Sequence, residues 1–293
     1  MTLRPVALLA LIFATLPLSA EEPTITVKKS GVAFPPELAN AKIAFISNKT
    51  GHKEVYTCNG DGSKLQQLTR DNGISVGPAL SADGRKLAYT GYQSGYADIY
   101  VIDLANGSRD RVVKFPGTNT GAAFSPDGSR LAFTASKDGN PELYVSSASG
   151  GGATRLTRTP WVESSPTWSP RGDELIYVAD SGGSPQLYRI SASGGTGSRI
   201  NSGYSYCTEP SWSPDGNKVA FVARSGGFQI AVLDLANGGS KIVAAGQDPA
   251  WAADSRHLVY TNGSALVMFD TVTGAQKTLV SGIGQISEPT MSR

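Results

Sequence analysis

Few residues in this chain could ligate a metal or close a disulfide. It has two histidines and two cysteines in 293 residues, which nearly excludes zinc sites and disulfide scaffolds. Charge is sparse too: 17% of residues are charged, and Lys plus Arg exceed Asp plus Glu by a net charge of +2. So even a balance argues against a protein whose main task is gripping nucleic acid or an anionic membrane. Beyond the first twenty residues no apolar run approaches the length of a membrane span. Long helical stretches are missing as well, because 34 glycines and 17 prolines punctuate the chain. A hydrophobic content of 40% is still enough for a core and excludes wholesale disorder. Many breakers and an adequate core point to short strands joined by frequent turns.

The first twenty residues read as an export signal. Arg4 supplies a positive start, Val6 to Leu16 an apolar run too short for a membrane span, and Pro17 and Leu18-Ser19-Ala20 a small-residue end. Cleavage is expected after Ala20, giving an exported protein, and with no cysteine near the cut no lipid anchor is expected. An oxidising compartment permits disulfides, but Cys58 and Cys207 fall in repeats that are not neighbours, so free thiols are expected.

A repeat dominates the rest. Phe124-Ser125-Pro126-Asp127-Gly128 returns as Trp168-Ser169-Pro170-Arg171-Gly172 and Trp212-Ser213-Pro214-Asp215-Gly216, with weaker copies from Leu80 and Trp251. A second register runs Phe45, Tyr89, Phe133, Tyr177, Phe221, Tyr260, stepping by 44 until a last step of 39, and a third runs Tyr56, Tyr100, Tyr144, Tyr188 in steps of 44. Each unit reads as four strands: one before the Ser-Pro-x-Gly turn, an apolar one after it, a third beyond a hairpin, and a fourth beyond a Gly-rich turn. Four strands in roughly 40–45 residues is a propeller blade. Six second strands, starting near residues 43, 87, 131, 175, 219 and 258, give six blades. The chain enters on a second strand and ends just after a first strand, Ile286 to Arg293. The fold class is therefore all-β: a six-bladed β-propeller of four-stranded antiparallel blades, closed by the C-terminal strand pairing with the first blade, which also removes exposed edges. The expected organisation is a signal at 1–20, an extended segment at 21–40 and a propeller at 41–293. The aromatics ending the first strands are expected between blades.

These blades resemble those of the TolB family, the periplasmic component of the Tol–Pal envelope system. The likeness runs over nearly all of residues 41–293 and is carried by Ala122-Ala123-Phe124-Ser125-Pro126-Asp127-Gly128, Leu131-Ala132-Phe133, Glu142-Leu143-Tyr144-Val145, Thr154-Arg155-Leu156-Thr157 and Thr208-Glu209-Pro210-Ser211-Trp212. The resemblance implies a periplasmic, non-catalytic protein that docks a Pal-like lipoprotein at one mouth of the central channel. It also implies that residues 21–32 could meet a TolA-like partner. The family's separate α/β domain has no counterpart between Glu21 and Asn40. Two loops carry over to the docking face with changes: Thr118 stands where the family has His, beside a matching Asn119, and Glu163-Ser164-Ser165-Pro166 stands where the family reads Thr-Glu-Pro.

The residues themselves gather Trp161, Glu163, Tyr204, Tyr206, Glu209, Asp248 and Glu288 at that mouth, and exposed aromatics are the usual anchors of an interface. With Thr118, Asn119, Ser164 and Thr208 they make the candidate partner-binding set, the alternative being that they merely cap the channel. The turn acids Asp83, Asp127, Asp215 and Asp254 read as local hydrogen-bonding residues. No cofactor is expected; calcium in an acid-lined channel is the one ion considered.

Enzyme chemistry has little to work with. A serine hydrolase needs a nucleophile elbow and a His base; no Gly-x-Ser-x-Gly is read in the chain, and no hydrolase domain is expected to fit beside the repeats. Propeller lyases such as oligogalacturonate lyase use a His-rich metal site, whereas His52 and His257 are expected apart and on the surface. The alternative from another class is a carbohydrate- or cell-wall-binding propeller, or a sugar-active enzyme with two suitably spaced carboxyls, using the same mouth.

Overall fold

The second strand of each repeat is an unbroken apolar run, such as Leu87-Ala88-Tyr89 or Val219-Ala220-Phe221, and these runs are buried throughout. A strand buried on both faces needs a sheet packed against each side, which stacked blades supply. A computed structural model describes residues 35–71 and 73–293. The predicted leader, its cleavage after Ala20 and the TolA-like segment lie outside the described residues.

Six four-stranded antiparallel sheets form the ring. Blades 2 to 6 run inner to outer in chain order. Blade 1 takes its inner strand β24 (Ile286–Met291) from the end of the sequence and pairs it with β1 (Lys42–Ser47), followed by β2 (Glu54–Asn59) and β3 (Gln66–Gln67). Closure is thus by the C-terminal strand, with Ile43 opposite Met291 and Ser47 opposite Ile286. Hydrogen bonds from Asn48 N to Gln285 O at 3.3 Å and from Ser292 N to Lys42 O at 2.9 Å extend the seam. The lead-in is not extended to its end: Pro36–Leu38 form a 3-10 turn, and Leu38 is buried against blade 1. Proline's fixed φ and missing N–H suit the first position of such a turn.

The turn chemistry is local. Gly128 N donates to Ser125 O at 2.8 Å, while Asp127 accepts from Ser125 Oγ at 2.5 Å and Ser129 N at 3.1 Å; Asp83 and Asp215 accept in the same way. Gly128 sits at φ 69°, where a side chain would be strained. The bulky residues ending the inner strands do lie between blades. Trp168 Nε1 donates to Ala123 O of the preceding blade at 3.0 Å, and Trp251 Nε1 to Ser211 O at 3.0 Å. The Arg130 guanidinium lies 4.6 Å from the Trp168 ring centre. Cys58 and Cys207 are free and buried, and burial pushes the Cys58 thiol up to about 12.

Candidate functional site: the channel mouth

Antiparallel connectivity puts the starts of all six inner strands, the connections that enter them, and the hairpins between second and third strands on one face. Near its start every inner strand is bulged: two residues oppose one on the second strand, between Val76 and Ala79, Thr120 and Ala123, Ser164 and Thr167, Thr208 and Ser211, and Gln247 and Ala250, with the same irregularity on β24. A bulge re-aims a side chain. Here it turns the third inner-strand position toward the axis, and in blades 2 to 6 and then 1 that position holds Gly77, Gly121, Ser165, Glu209, Asp248 and Glu288.

All six have left-handed backbone, from φ 52° at Ser165 to 64° at Gly121. Glycine adopts this freely; other residues do so at a cost of roughly 1–2 kcal/mol each. Blades 2 and 3 avoid that cost, whereas blades 5, 6 and 1 hold acids there. Such strain gathers at sites where geometry is fixed for a purpose. The three acids form a chain around the axis. Glu209 accepts from Asp248 N at 2.8 Å, Asp248 from Glu288 N at 2.8 Å, and Glu288 from Gly77 N at 2.5 Å. Each carboxylate therefore caps the amide that the next blade's bulge frees from its own ladder.

Protein surrounds these carboxyls, although they keep contact with the channel, and their protonation follows from that. Burial, with the neighbouring Asp248 charge, pushes Glu209 and Glu288 above the ordinary carboxylate range. Burial also raises Asp248, and the Lys53 ammonium on the blade 1 hairpin opposes the shift at Asp248 and Glu288. Among the described residues no group of three or more His, Cys, Asp or Glu side chains is gathered closely enough to hold a metal ion. Each of the three acids is committed to a separate amide.

The same face carries apolar side chains. Seven large hydrophobics are exposed among the described residues, and Ile74, Tyr96, Trp161, Val162 and Phe228 lie on the connections and hairpins of this face. Tyr206 packs on Phe228 with ring centres 6.1 Å apart. The predicted set is therefore split. Trp161 and Thr118 are exposed, Tyr206, Ser164 and Thr208 are partly exposed, and Glu209, Asp248 and Glu288 border the channel. Glu163 and Asn119 have no exposed surface: they lie beneath the face, between blades, because the first inner-strand residue points away from the axis. Tyr204 packs edge-on against Phe221, with centres 5.9 Å apart, and belongs to the core. Gly77, Gly121 and Ser165 were missed, as were Ile74, Tyr96 and Phe228. Aligning the third inner-strand position across the repeats would have shown the grading from glycine to acid.

Two other sequence expectations need correction. His257 is buried rather than on the surface, 2.5 Å from Asp254 through Nδ1; His52 is exposed on the blade 1 hairpin. One Gly-x-Ser-x-Gly string does exist, Gly73-Ile74-Ser75-Val76-Gly77. It runs into the inner strand of blade 2, not from a strand into a helix as an elbow does, and the buried Ser75 hydroxyl donates to Asp71 at 3.1 Å. The far half of the channel is a cavity of about 370 Å³ ringed by Pro78, Pro166, Pro210, Pro249 and Pro289. The Arg293 guanidinium reaches across it to Trp212 O at 2.8 Å.

The TolB β-propeller domain, PD40, matches residues 36–293. The chain belongs to the TolB β-propeller family. A TolB homolog of Chlorobium luteolum is 52% identical over 46 residues, 16% of this chain and 11% of its own length. The Tol-Pal system protein TolB of Desulfosudis oleivorans is 44% identical over 50 residues, 17% and 11% respectively. Each alignment thus spans about a tenth of the curated relative's length. The crystal structure of TolB from Acinetobacter baumannii superposes with a TM-score of 0.79 at 27% identity, over 86% of this chain and 66% of that one. An oligogalacturonate lyase from Vibrio parahaemolyticus, at 16% identity and a TM-score of 0.57 over 82% of this chain and 74% of its own, shares the fold.

Proposed function

We propose that this propeller is a non-catalytic, exported docking module of a Tol–Pal-type system, and that it receives an envelope partner, a Pal-like lipoprotein, at the channel mouth. A periplasmic location accords with the leader read in the sequence and with the system named for the relatives. The observation that carries the reading is a coincidence on one face. Three acids are held in costly backbone at the channel, and most of the exposed large apolar side chains surround them. Exposed aromatic and aliphatic side chains are the usual anchors of an interface, and carboxyls fixed at the channel give a partner polar groups to read. Thr118, Ser164, Tyr206 and Thr208 complete the contact surface, while Asn119 and Glu163 support it from below. A TolA-like partner at residues 21–32 belongs to the same reading.

The test is calorimetric titration of the mature protein with the periplasmic domain of the source organism's own Pal. Micromolar or tighter binding is expected. Trp161→Ala should weaken it at least tenfold, as loss of an interface anchor does, and Glu209→Ala should weaken it comparably. Absence of binding, or binding indifferent to both substitutions, refutes this assignment. Oligosaccharide binding in place of protein binding would instead favour a cell-wall ligand.

A further inference from the structure

At successive blade boundaries the fold repeats one polar arrangement. The N–H of the first inner-strand residue donates to a carbonyl of the preceding blade: Asn119 to Ala97, Glu163 to Pro141 and Cys207 to Pro185, at 2.9–3.1 Å. The residue after that carbonyl, which opens the third strand, takes an arginine from the fourth. Asp98 takes Arg111 at 2.8 Å, Glu142 takes Arg155 at 2.7 Å, and Gln186 takes Arg199 at 2.7 Å. Between blades 2 and 3 one acid, Asp98, faces the neutral Asn119, whose Nδ2 lies 3.4 Å away. Between blades 4 and 5 neither Gln186 nor Cys207 is an acid. Between blades 3 and 4 both positions are acids, Glu142 and Glu163, and neither has any exposed surface.

One arginine reaches the pair, through Glu142. Glu142 Oε1 accepts from Arg155 Nη2 at 2.7 Å and from Thr159 N at 3.0 Å, while its Oε2 is buried without a partner. Glu163 accepts from the hydroxyls of Thr157, at 3.3 Å, and Thr159. Arg155 is also drawn to Asp138, 3.7 Å away, which Lys137 and the Tyr144 hydroxyl already hold at 3.0 and 2.6 Å. From the second strand of blade 4 the buried Tyr177 phenol feels both glutamates, and its ionisation is suppressed chiefly by burial and then by their charge. Among the described residues Arg155 is the one cation paired with these two acids, and two buried carboxylates with one cation are costly unless one is neutral. A protonated Glu163 has a donor, and Glu142 Oε2 is the acceptor left open.

We propose that Glu142 and Glu163 share one proton, and that this proton is a latch holding the 156–162 connection, and with it Trp161, in place on the mouth face. The connection is tied to the pair at two points. Thr157 and Thr159 donate to Glu163, and Thr159 Oγ1 in turn accepts from Trp161 N at 3.1 Å. Asn140 Nδ2 pins the same turn through Thr159 O and Trp161 O. Burial first, and then the Glu142 charge, raise the Glu163 carboxyl to about 7 against the Thr159 and Thr157 hydroxyl bonds, which favour the charged form; above that pH two buried carboxylates face each other, so the latch opens as pH rises through neutrality. Its bearing on docking rests on the function proposed above, but its existence does not.

The test therefore uses the mature protein without any partner. Amide hydrogen exchange of residues 156–163 is followed from pH 5 to pH 9 and corrected for intrinsic exchange. Protection should fall at least tenfold through a midpoint near neutral pH, and the 114–118 connection over the Asp98–Asn119 boundary should show no such step. Glu163→Gln, nearly isosteric and never charged, should abolish the step and keep the low-pH protection throughout. Uniform protection of 156–163 across the range in the wild-type protein overturns the latch, whether or not the variant folds. A step that persists in a folded Glu163→Gln protein overturns it equally. Failure of Pal to bind leaves these readings untouched, so the two proposals fail separately.

Discussion

Ring closure rests on one strand, and its strength can be worked from the structure. Ile286 and Met291 flank β24 and are 1% and 4% exposed, packed in one cluster with Ile43, Phe45 and Met268. Ile286→Ala removes three buried carbons, worth ~2.4 kcal/mol at about 0.8 per methylene. The cavity left behind brings the cost to roughly 3–4 kcal/mol. Met291→Ala should cost roughly 2–4 kcal/mol by the same reasoning. The two share a cluster, so their effects should not add. In urea, with a slope of ~3 kcal/mol/M for a domain of this size, each should lower the midpoint by about 1 M. Val272→Ala, at a position 72% exposed, is the control and should stay within about 0.5 kcal/mol. Kinetics sharpen the test. Closure joins residues 236–250 apart in sequence, and such contacts form late. The substitutions should therefore speed unfolding far more than they slow refolding. If Ile286→Ala behaves like Val272→Ala, the C-terminal strand does not hold the ring and the closure argument fails.

Two further outcomes follow from the electrostatics. Glu209, Asp248 and Glu288 titrate above the ordinary carboxylate range in the folded protein, so the folded state binds more protons than the unfolded one there. Stability should fall as pH rises from that range through the folded values. Glu209→Gln should flatten the dependence, melting above wild type at pH 8 but not at pH 4; identical melting profiles would refute the assignment. Asp270 has the opposite sign. Held well below the ordinary range chiefly by Arg256, it also accepts from Thr273 and from the amides of Val272 and Thr273. Asp270→Ala should cost about 2–3 kcal/mol at pH 7 by denaturant titration, and the gap should narrow only as pH falls below the ordinary aspartate range.

How much of this was legible beforehand depended on what the repeat controls. The 44-residue step places a residue along a strand, so blade count, strand order and closure followed from registers such as Phe45, Tyr89, Phe133 and Tyr177. Which way an inner-strand residue points was hidden by the bulge. Ordinary alternation gives no warning that two residues oppose one, and so Glu163 was grouped with Glu209 on one surface, where the family resemblance also put Asn119. In fact the first position turns between blades and the third toward the axis. His257 was misplaced for a related reason: it opens a second strand, and the carboxylate that meets its ring from the surface, Asp254, belongs to the preceding turn.

A propeller of six like blades has a symmetric mouth, and this one has lost that symmetry in a directed way. The acids occupy adjoining blades 5, 6 and 1. Opposite them the same position is Gly77, Gly121 and Ser165, where no charge stands, while the exposed apolar side chains are spread over both halves, Tyr96, Trp161 and Val162 on one and Phe228 on the other. Under the docking proposed above, a partner would meet carboxyl groups on one side of the axis and none on the other, so the acids would favour some of the six rotations over the rest. The strain held at Glu209, Asp248 and Glu288 accords with that role, because glycine at these positions would relieve the backbone and return the mouth to symmetry.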